Sequence, residues 1–266
     1  MENNLLWALG LTLFAGLSTG IGSFIAVFTK GDNQRFLSVA LGFSAGVMIY
    51  ISFVEILPHA GDTMHAYFQS GTSEWVTLAA FFGGMLITTI IDKLVPSYEN
   101  PHEIPSVSIS DHESAKMARM KRLGVLSAIA IAVHNFPEGI ATFMATIEDP
   151  ELGLPIAIAI AIHNIPEGIA VAVPVFYATK SRKKAFNLSF LSGLAEPLGG
   201  LVTFLILMPF LNELIMGIVF AAVAGIMVFI SLDELLPAAE EYGEHHLSIY
   251  GLVVGMGVMA VSLVIL

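Results

Sequence analysis

Eight stretches of this chain run for about twenty residues or more with almost no charge, and that feature leaves few folds open. A helix rising ~1.5 Å per residue needs ~20 apolar residues to cross a hydrocarbon layer ~30 Å thick. The stretches cover about 5–28, 36–58, 75–95, 123–146, 153–177, 185–208, 211–235 and 247–266, joined by one long connection at 96–122. Barrel strands are half as long and alternate polar with apolar residues, so the stretches are read as helices. At 56% hydrophobic and 12% charged, the 266 residues have the composition of a multi-span membrane protein. The expected fold is an all-α integral membrane bundle of eight transmembrane helices in one domain, 1–266. Met1-Glu2-Asn3-Asn4 lacks the basic region of a signal peptide, so the first span is expected to be retained.

Positive charge sets the expected orientation, because connections rich in Lys and Arg stay on the cytoplasmic side. All eleven Lys and Arg fall at or beside three connections: Lys30 and Arg35, Lys93 to Arg122, and Lys180 to Lys184. The connections after spans two, four and six carry only acids, such as Asp62, Glu74, Glu148, Asp149, Glu151 and Glu213. Odd-numbered connections are thus expected inside and both termini outside. The turn after span seven, with Glu240, Glu241, Glu244, His245 and His246, does not inform the assignment. The connection at 96–122, with His102, Glu103, Asp111, His112 and Glu113 among Pro and Ser, reads as a mobile cytoplasmic loop.

The net charge of −11 and the absence of a basic, aromatic-lined face set nucleic-acid binding aside. With no cysteine, disulfides, thiolate metal sites and cysteine nucleophiles are excluded.

The chain repeats itself. Ala128-Ile-Ala-Ile-Ala-Val-His134-Asn135-Phe136-Pro137-Glu138-Gly139-Ile-Ala141 returns as Ala157-Ile-Ala-Ile-Ala-Ile-His163-Asn164-Ile165-Pro166-Glu167-Gly168-Ile-Ala170 with two substitutions. Ala45 to Pro58 resembles Ala224 to Pro237, with Glu55 on Glu234 and proline on proline. Gly16-Leu-Ser-Thr-Gly20 echoes Gly193-Leu-Ala-Glu196-Pro197, and Gly83-Gly84-Met85 echoes Val254-Gly255-Met256. Spans one to three then match six to eight and four matches five. Matched spans enter the membrane from opposite sides, which makes a 3+2+3 inverted repeat, a carrier signature with its site near the midplane.

His134 and Glu138 stand one helical turn apart on one face, a spacing that can chelate an ion, as do His163 and Glu167. Asn135 and Asn164 lie slightly rotated from them, so each carboxylate is able to bridge two adjacent sites. His134 sits ~16 Å into its span, near the centre of the layer. Pro137 and Pro166 cannot donate to the carbonyls of Val133 and Ile162, so each helix is expected to kink and free an oxygen beside its ligands. Glu196, before Pro197 in span six, is the natural extra ligand on the Asn135/Asn164 side. Imidazole with carboxylate suits Zn²⁺, Fe²⁺, Mn²⁺, Co²⁺ and Ni²⁺ better than Ca²⁺ or Mg²⁺. Glu55, His59 and Glu234 lie near helix ends, where a snorkelling or water-exposed role outweighs primary ligation.

The doubled His-Asn-x-Pro-Glu-Gly motif resembles that of the ZIP (Zrt/Irt-like) family of divalent-metal transporters, in the form of its bacterial zinc-uptake members. The resemblance extends over eight spans, a histidine-bearing loop after span three and the Phe-Val-Glu-Ile-Leu-Pro end of span two. It implies a binuclear metal centre between spans four and five. His134, Glu138, His163 and Glu167 would form the main site, and Asn135, Asn164 and Glu196 the second, with Glu138 and Glu167 bridging. It also implies a homodimer and metal movement towards the cytoplasm.

The expectation is therefore a carrier in the cell (inner or plasma) membrane that moves Zn²⁺ inward by alternating access, with Fe²⁺, Mn²⁺, Co²⁺ and Cd²⁺ as competing cargo. No enzymatic activity and no organic cofactor are expected. One rival is an intramembrane metalloenzyme, but those carry His-Glu-x-x-His with the acid as general base, and symmetric duplication leaves no distinct base here. The other is a metal-gated signalling protein, for which no output domain is recognisable.

Overall fold

The computed structural model describes residues 2–28, 34–68, 71–94, 112–148, 150–210, 212–242 and 245–265, and no strand occurs among them. The first span is α1 (Glu2–Phe28). The second runs from α2 (Gln34–Ile51) through a π-helical turn at Ser52–Ile56 into α3 (Leu57–His65), and the third is α4 (Thr72–Leu94). The two motifs lie on α5 (His112–Glu148) and α6 (Pro150–Thr179). The sixth span comprises α7 (Arg182–Gly193), α8 (Ala195–Val202) and a π turn at Thr203–Leu207. The seventh runs from α9 (Glu213–Ile230) through a π turn at Ser231–Leu235 into α10 (Leu236–Tyr242), and α11 (His245–Ile265) is last.

Seven helical stretches among the described residues are long and apolar enough to cross a membrane: Asn4–Phe28, Ser38–His65, Thr72–Ile90, Gly153–Val173, Arg182–Ile206, Glu213–Glu240 and His246–Ile265. α5, with 37 residues, supplies the eighth rod. Local chemistry sets several ends. Lys180 takes φ +50° just after α6, a left-handed stop. The Ser181 hydroxyl accepts from the Lys184 amide at 3.3 Å to start α7, and Asn212 Oδ1 accepts from the Ile215 amide at 2.9 Å to start α9.

Three sequence-based boundaries shift. α5 begins at His112, not near 123. The stretch Ala115-Lys-Met-Ala-Arg-Met-Lys-Arg122 is made of strong helix formers, so the helix continues past the apolar run. Residues 95–111 of that connection, and the reading of it as mobile, lie outside the described residues. Nor do the second and seventh spans stop near 58 and 235; each runs on through its proline, Pro58 or Pro237. Each proline follows a π turn and stands at the start of the next helix, where a missing N–H costs nothing. The two π turns occupy matching places in the repeat, each carrying acid: Glu55 in one, Asp233 and Glu234 in the other.

The rods pack as two groups. α1, α5, α6 and α7–α8 lie mainly against one another, as do α2–α3, α4, α9–α10 and α11, and the groups meet through α6 on α2 and α5 on α9. Glycines set the closest crossings. A Cβ on Gly46 would strike the Leu252 carbonyl, and one on Gly225 the Phe81 carbonyl. Gly255 abuts Phe43 and Gly84 abuts Ala222 in the same way. In the other group Gly139 lies on the Glu196 carbonyl and Gly168 on that of Thr19, while Gly199 lies on Phe136 and Gly22 on Ile165. Every one of these contacts becomes its partner when each residue is replaced by its match in the sequence repeat.

Around this frame the surface is apolar: Phe14, Ile21, Phe82, Leu86, Leu205, Val253 and Val261 all face outward. Water would be a poor solvent for such a belt, and lipid a good one.

Candidate metal centre

The two motifs face each other inside the α1/α5/α6/α8 group. Asn135, His163, Asn164 and Glu196 are fully buried, and Glu138 and Glu167 keep 1% of their surface. His134 belongs to α5, but its side chain, and with it the ligand role expected there, lies outside the described residues.

His163 does not merely share a face with Glu167 one turn along its own helix. Its Nε2 lies 3.3 Å from Oε1 and 3.4 Å from Oε2 of Glu138, on the neighbouring helix. The asparagine side is equally cross-linked: Asn164 Nδ2 donates to Glu196 Oε2 at 2.8 Å and to the Ala15 carbonyl at 2.9 Å. Both amide hydrogens are thereby committed to acceptors, which fixes where the amide oxygen points. The Ser189 hydroxyl donates to the Gly168 carbonyl at 2.9 Å and pairs with Ser23 at 2.6 Å, tying the motif on α6 to α1 and α7. Ser44 on α2 reaches the His163 carbonyl at 3.5 Å.

The glycine of each motif makes this proximity possible. Gly139 and Gly199 let α5 and α8 touch backbone to backbone, which brings Glu196 beside Glu138 and Asn164. Glu196 interacts electrostatically with both Glu138 and Glu167. Three carboxylates thus share one buried space, and no Lys or Arg occurs between residues 123 and 179. Charge of that density away from water needs compensation by protons or by a cation.

Oxygen atoms stand ready for a cation. Asn135 Oδ1, Asn164 Oδ1 and Glu196 Oε1 are buried and have no hydrogen-bond partner among the described residues. A buried acceptor left so costs about 1–3 kcal/mol, which a bound ion would remove. Among the described residues, no three His, Cys, Asp or Glu side chains already close on a common point. The described contacts are instead paired, His163 with Glu138 and Asn164 with Glu196.

Two features escaped the sequence reading. Thr19, fully buried on α1, occupies the place that the repeat matches to Glu196, and its Oγ1 has no hydrogen-bond partner among the described residues. The echo of Gly16–Gly20 in Gly193–Pro197 was its only signal. Glu55 and His59 are not purely at a water-facing helix end, because both line a small cavity whose inner wall includes Glu138. Their four-residue spacing, the same as that of His134 and Glu138, was the clue available.

Known proteins resemble this chain along its length. The family model described as ZIP zinc transporter matches residues 92–263. Proteins named zinc transporter ZupT are similar over their whole length. That of Lysinibacillus sphaericus is 61% identical with both chains fully covered. That of Chlorobium limicola is 60% identical over 97% of each chain, and that of Streptococcus mutans 58% over 100% of this chain and 99% of its own. With a matching family model, relatives of this identity along the full chain and a set of membrane-spanning helices, the chain is a multi-pass integral membrane protein and belongs to the ZIP zinc-transporter family.

Proposed function

We propose that this protein carries Zn²⁺ across the plasma membrane into the cytoplasm through a binuclear centre shared by the two motifs. His134, Glu138, His163 and Glu167 form the main site. Asn135, Asn164 and Glu196 form the second, with Glu138 and Glu167 bridging. The observation that carries this reading is the cross-helix pairing of His163 with Glu138 and of Asn164 with Glu196. Imidazole and carboxylate from different helices meet in a buried space with no basic residue to neutralise them, a donor set suited to zinc. The names of the relatives support zinc as cargo, and Fe²⁺, Mn²⁺, Co²⁺ and Cd²⁺, with similar ligand demands, are competitors.

His163 and Glu138 stand within reach of each other across the helix boundary. Metal needs the free imidazole nitrogen and the bare carboxylate, so metal and protons compete for these atoms. Release is eased because no thiolate holds the ion. Transport follows from alternating access, in which the motif-bearing group of helices shifts against the other. The paired glycine contacts support a 3+2+3 inverted repeat, which gives two related arrangements of one scaffold. Both termini lie outside, the protein is a homodimer, and it is not an enzyme.

Uptake of radioactive zinc into proteoliposomes tests the reading. The intact protein should accumulate zinc, and Glu138→Ala and Glu167→Ala should each abolish most of it. Uptake unimpaired in both variants would sink the site.

A further inference from the structure

Outside the centre, one cavity carries unassigned ligand chemistry. It has a volume of about 20 Å³, room for roughly one water molecule or one small ion. Its walls are Glu55, Ile56, His59, Phe220, Val223 and residues of α5 and α6 that include Glu138. Glu55 and His59 are half-buried on the second span, whereas Glu138, at the inner wall, is 1% exposed. One cavity thus borders both the half-buried Glu55 and His59 and the buried Glu138 of the proposed centre.

Glu55 belongs to the π turn and His59 to the helix that follows, four residues on, and both line the same cavity. π turns recur at functional sites because the extra residue re-aims side chains. The His59 ring stands edge-on to Phe220 at 5.1 Å, which holds its plane. All other walls of the cavity are apolar, so Glu55, His59 and Glu138 are the groups in it that attract a cation.

We infer that Glu55 and His59 form a separate, weaker divalent-cation site that stages zinc outside the centre and passes it to Glu138. This rests on the centre proposed above. On that orientation the pair lies towards the outer face, so it acts on loading. The matched π turn, with Asp233 and Glu234 where the repeat places Glu55, has Ala238 at the position of His59. The staging pair is therefore one-sided, which suits a step that captures dilute ion on one face only.

The absence of cysteine makes a direct test clean. His59→Cys leaves a thiol beside Glu55, and a charged methanethiosulfonate reagent should label it. Cd²⁺ should protect the thiol, and protection should persist with Glu138→Ala and Glu167→Ala added but vanish with Glu55→Gln added. Labelling indifferent to Cd²⁺, or protection that survives Glu55→Gln, would overturn the pair. In zinc uptake, Glu55→Gln and His59→Asn should raise KM roughly tenfold at nearly constant kcat; an unchanged KM also overturns it. Failure of the central site reads out separately, as uptake retained in Glu138→Ala and Glu167→Ala.

Discussion

At the residue scale the centre depends on contacts between helices. In the proposed centre Glu138 and Glu167 bridge halves of one site, so either truncation removes what both need. Glu138→Ala and Glu167→Ala should each lower zinc uptake by on the order of a hundredfold, and the double variant should fall little further. Independent, additive deficits in the uptake assay would mean two separate sites. Asn164→Ala frees Glu196 from its only described donor and removes an amide oxygen at once. It should lower the number of zinc ions bound at saturation, measured by calorimetry, while Asn164→Asp should restore it. Protons compete for the same atoms, since His163 and the three glutamates bind metal only when deprotonated. Metal binding thus releases protons, and apparent zinc affinity should rise from pH 5.5 to pH 7.5, a trend that titration at several pH values checks. A flat profile would mean that metal does not displace protons from these ligands.

Elements are held by small residues at their crossings. Gly83 and Gly84 sit side by side on α4, yet a Cβ on Gly83 meets nothing while one on Gly84 strikes the Ala222 carbonyl. Gly84→Ala should cost about 1–3 kcal/mol through overpacking of α4 on α9. Gly83→Ala should be neutral or stabilising by up to about 1 kcal/mol through helix propensity. Thermal unfolding in detergent distinguishes them, and equal effects would contradict the packing. The sequence alone reads Gly83-Gly84 as an undifferentiated pair. Likewise the sequence places the ends of spans two and seven near 58 and 235, beside Pro58 and Pro237. The π turns before them absorb the irregularity, and a π turn leaves no clear mark in local composition. In contrast, α5 and α6 were legible as helices from their unbroken apolar runs, despite the internal prolines.

For the whole molecule, the two groups of helices are the bodies that must move if the centre opens alternately. Packing is heavy within each group, and among the described residues the link between them runs mainly through α2 with α6 and α5 with α9, with a smaller contact of α11 on α6. Spin labels in this cysteine-free chain report the motion. Leu86 on α4 and Val261 on α11 belong to one group, and Ile21 on α1 to the other; all three are exposed. Zinc should shift the distance between labels at 21 and 86 and leave that between 86 and 261 unchanged. Equal change in both would mean deformation throughout, and no change in either would favour a rigid pore.

The sequence by itself determined the solvent, the helices, the internal repeat and the candidate donor residues, because each can be read along the chain without knowing which helices touch. Length and apolarity fix a crossing helix, and polar residues stranded within it advertise their use. Only the tertiary structure decided which donors meet. His163 contacts Glu138 across the helix boundary, Asn164 turns both amide hydrogens to Glu196 and Ala15, and Glu55, His59 and Glu138 line one cavity. The physical reason is that contact between helices depends on crossing angle and depth. Those are set jointly by glycines and facing carbonyls far apart in the chain, which no local spacing records.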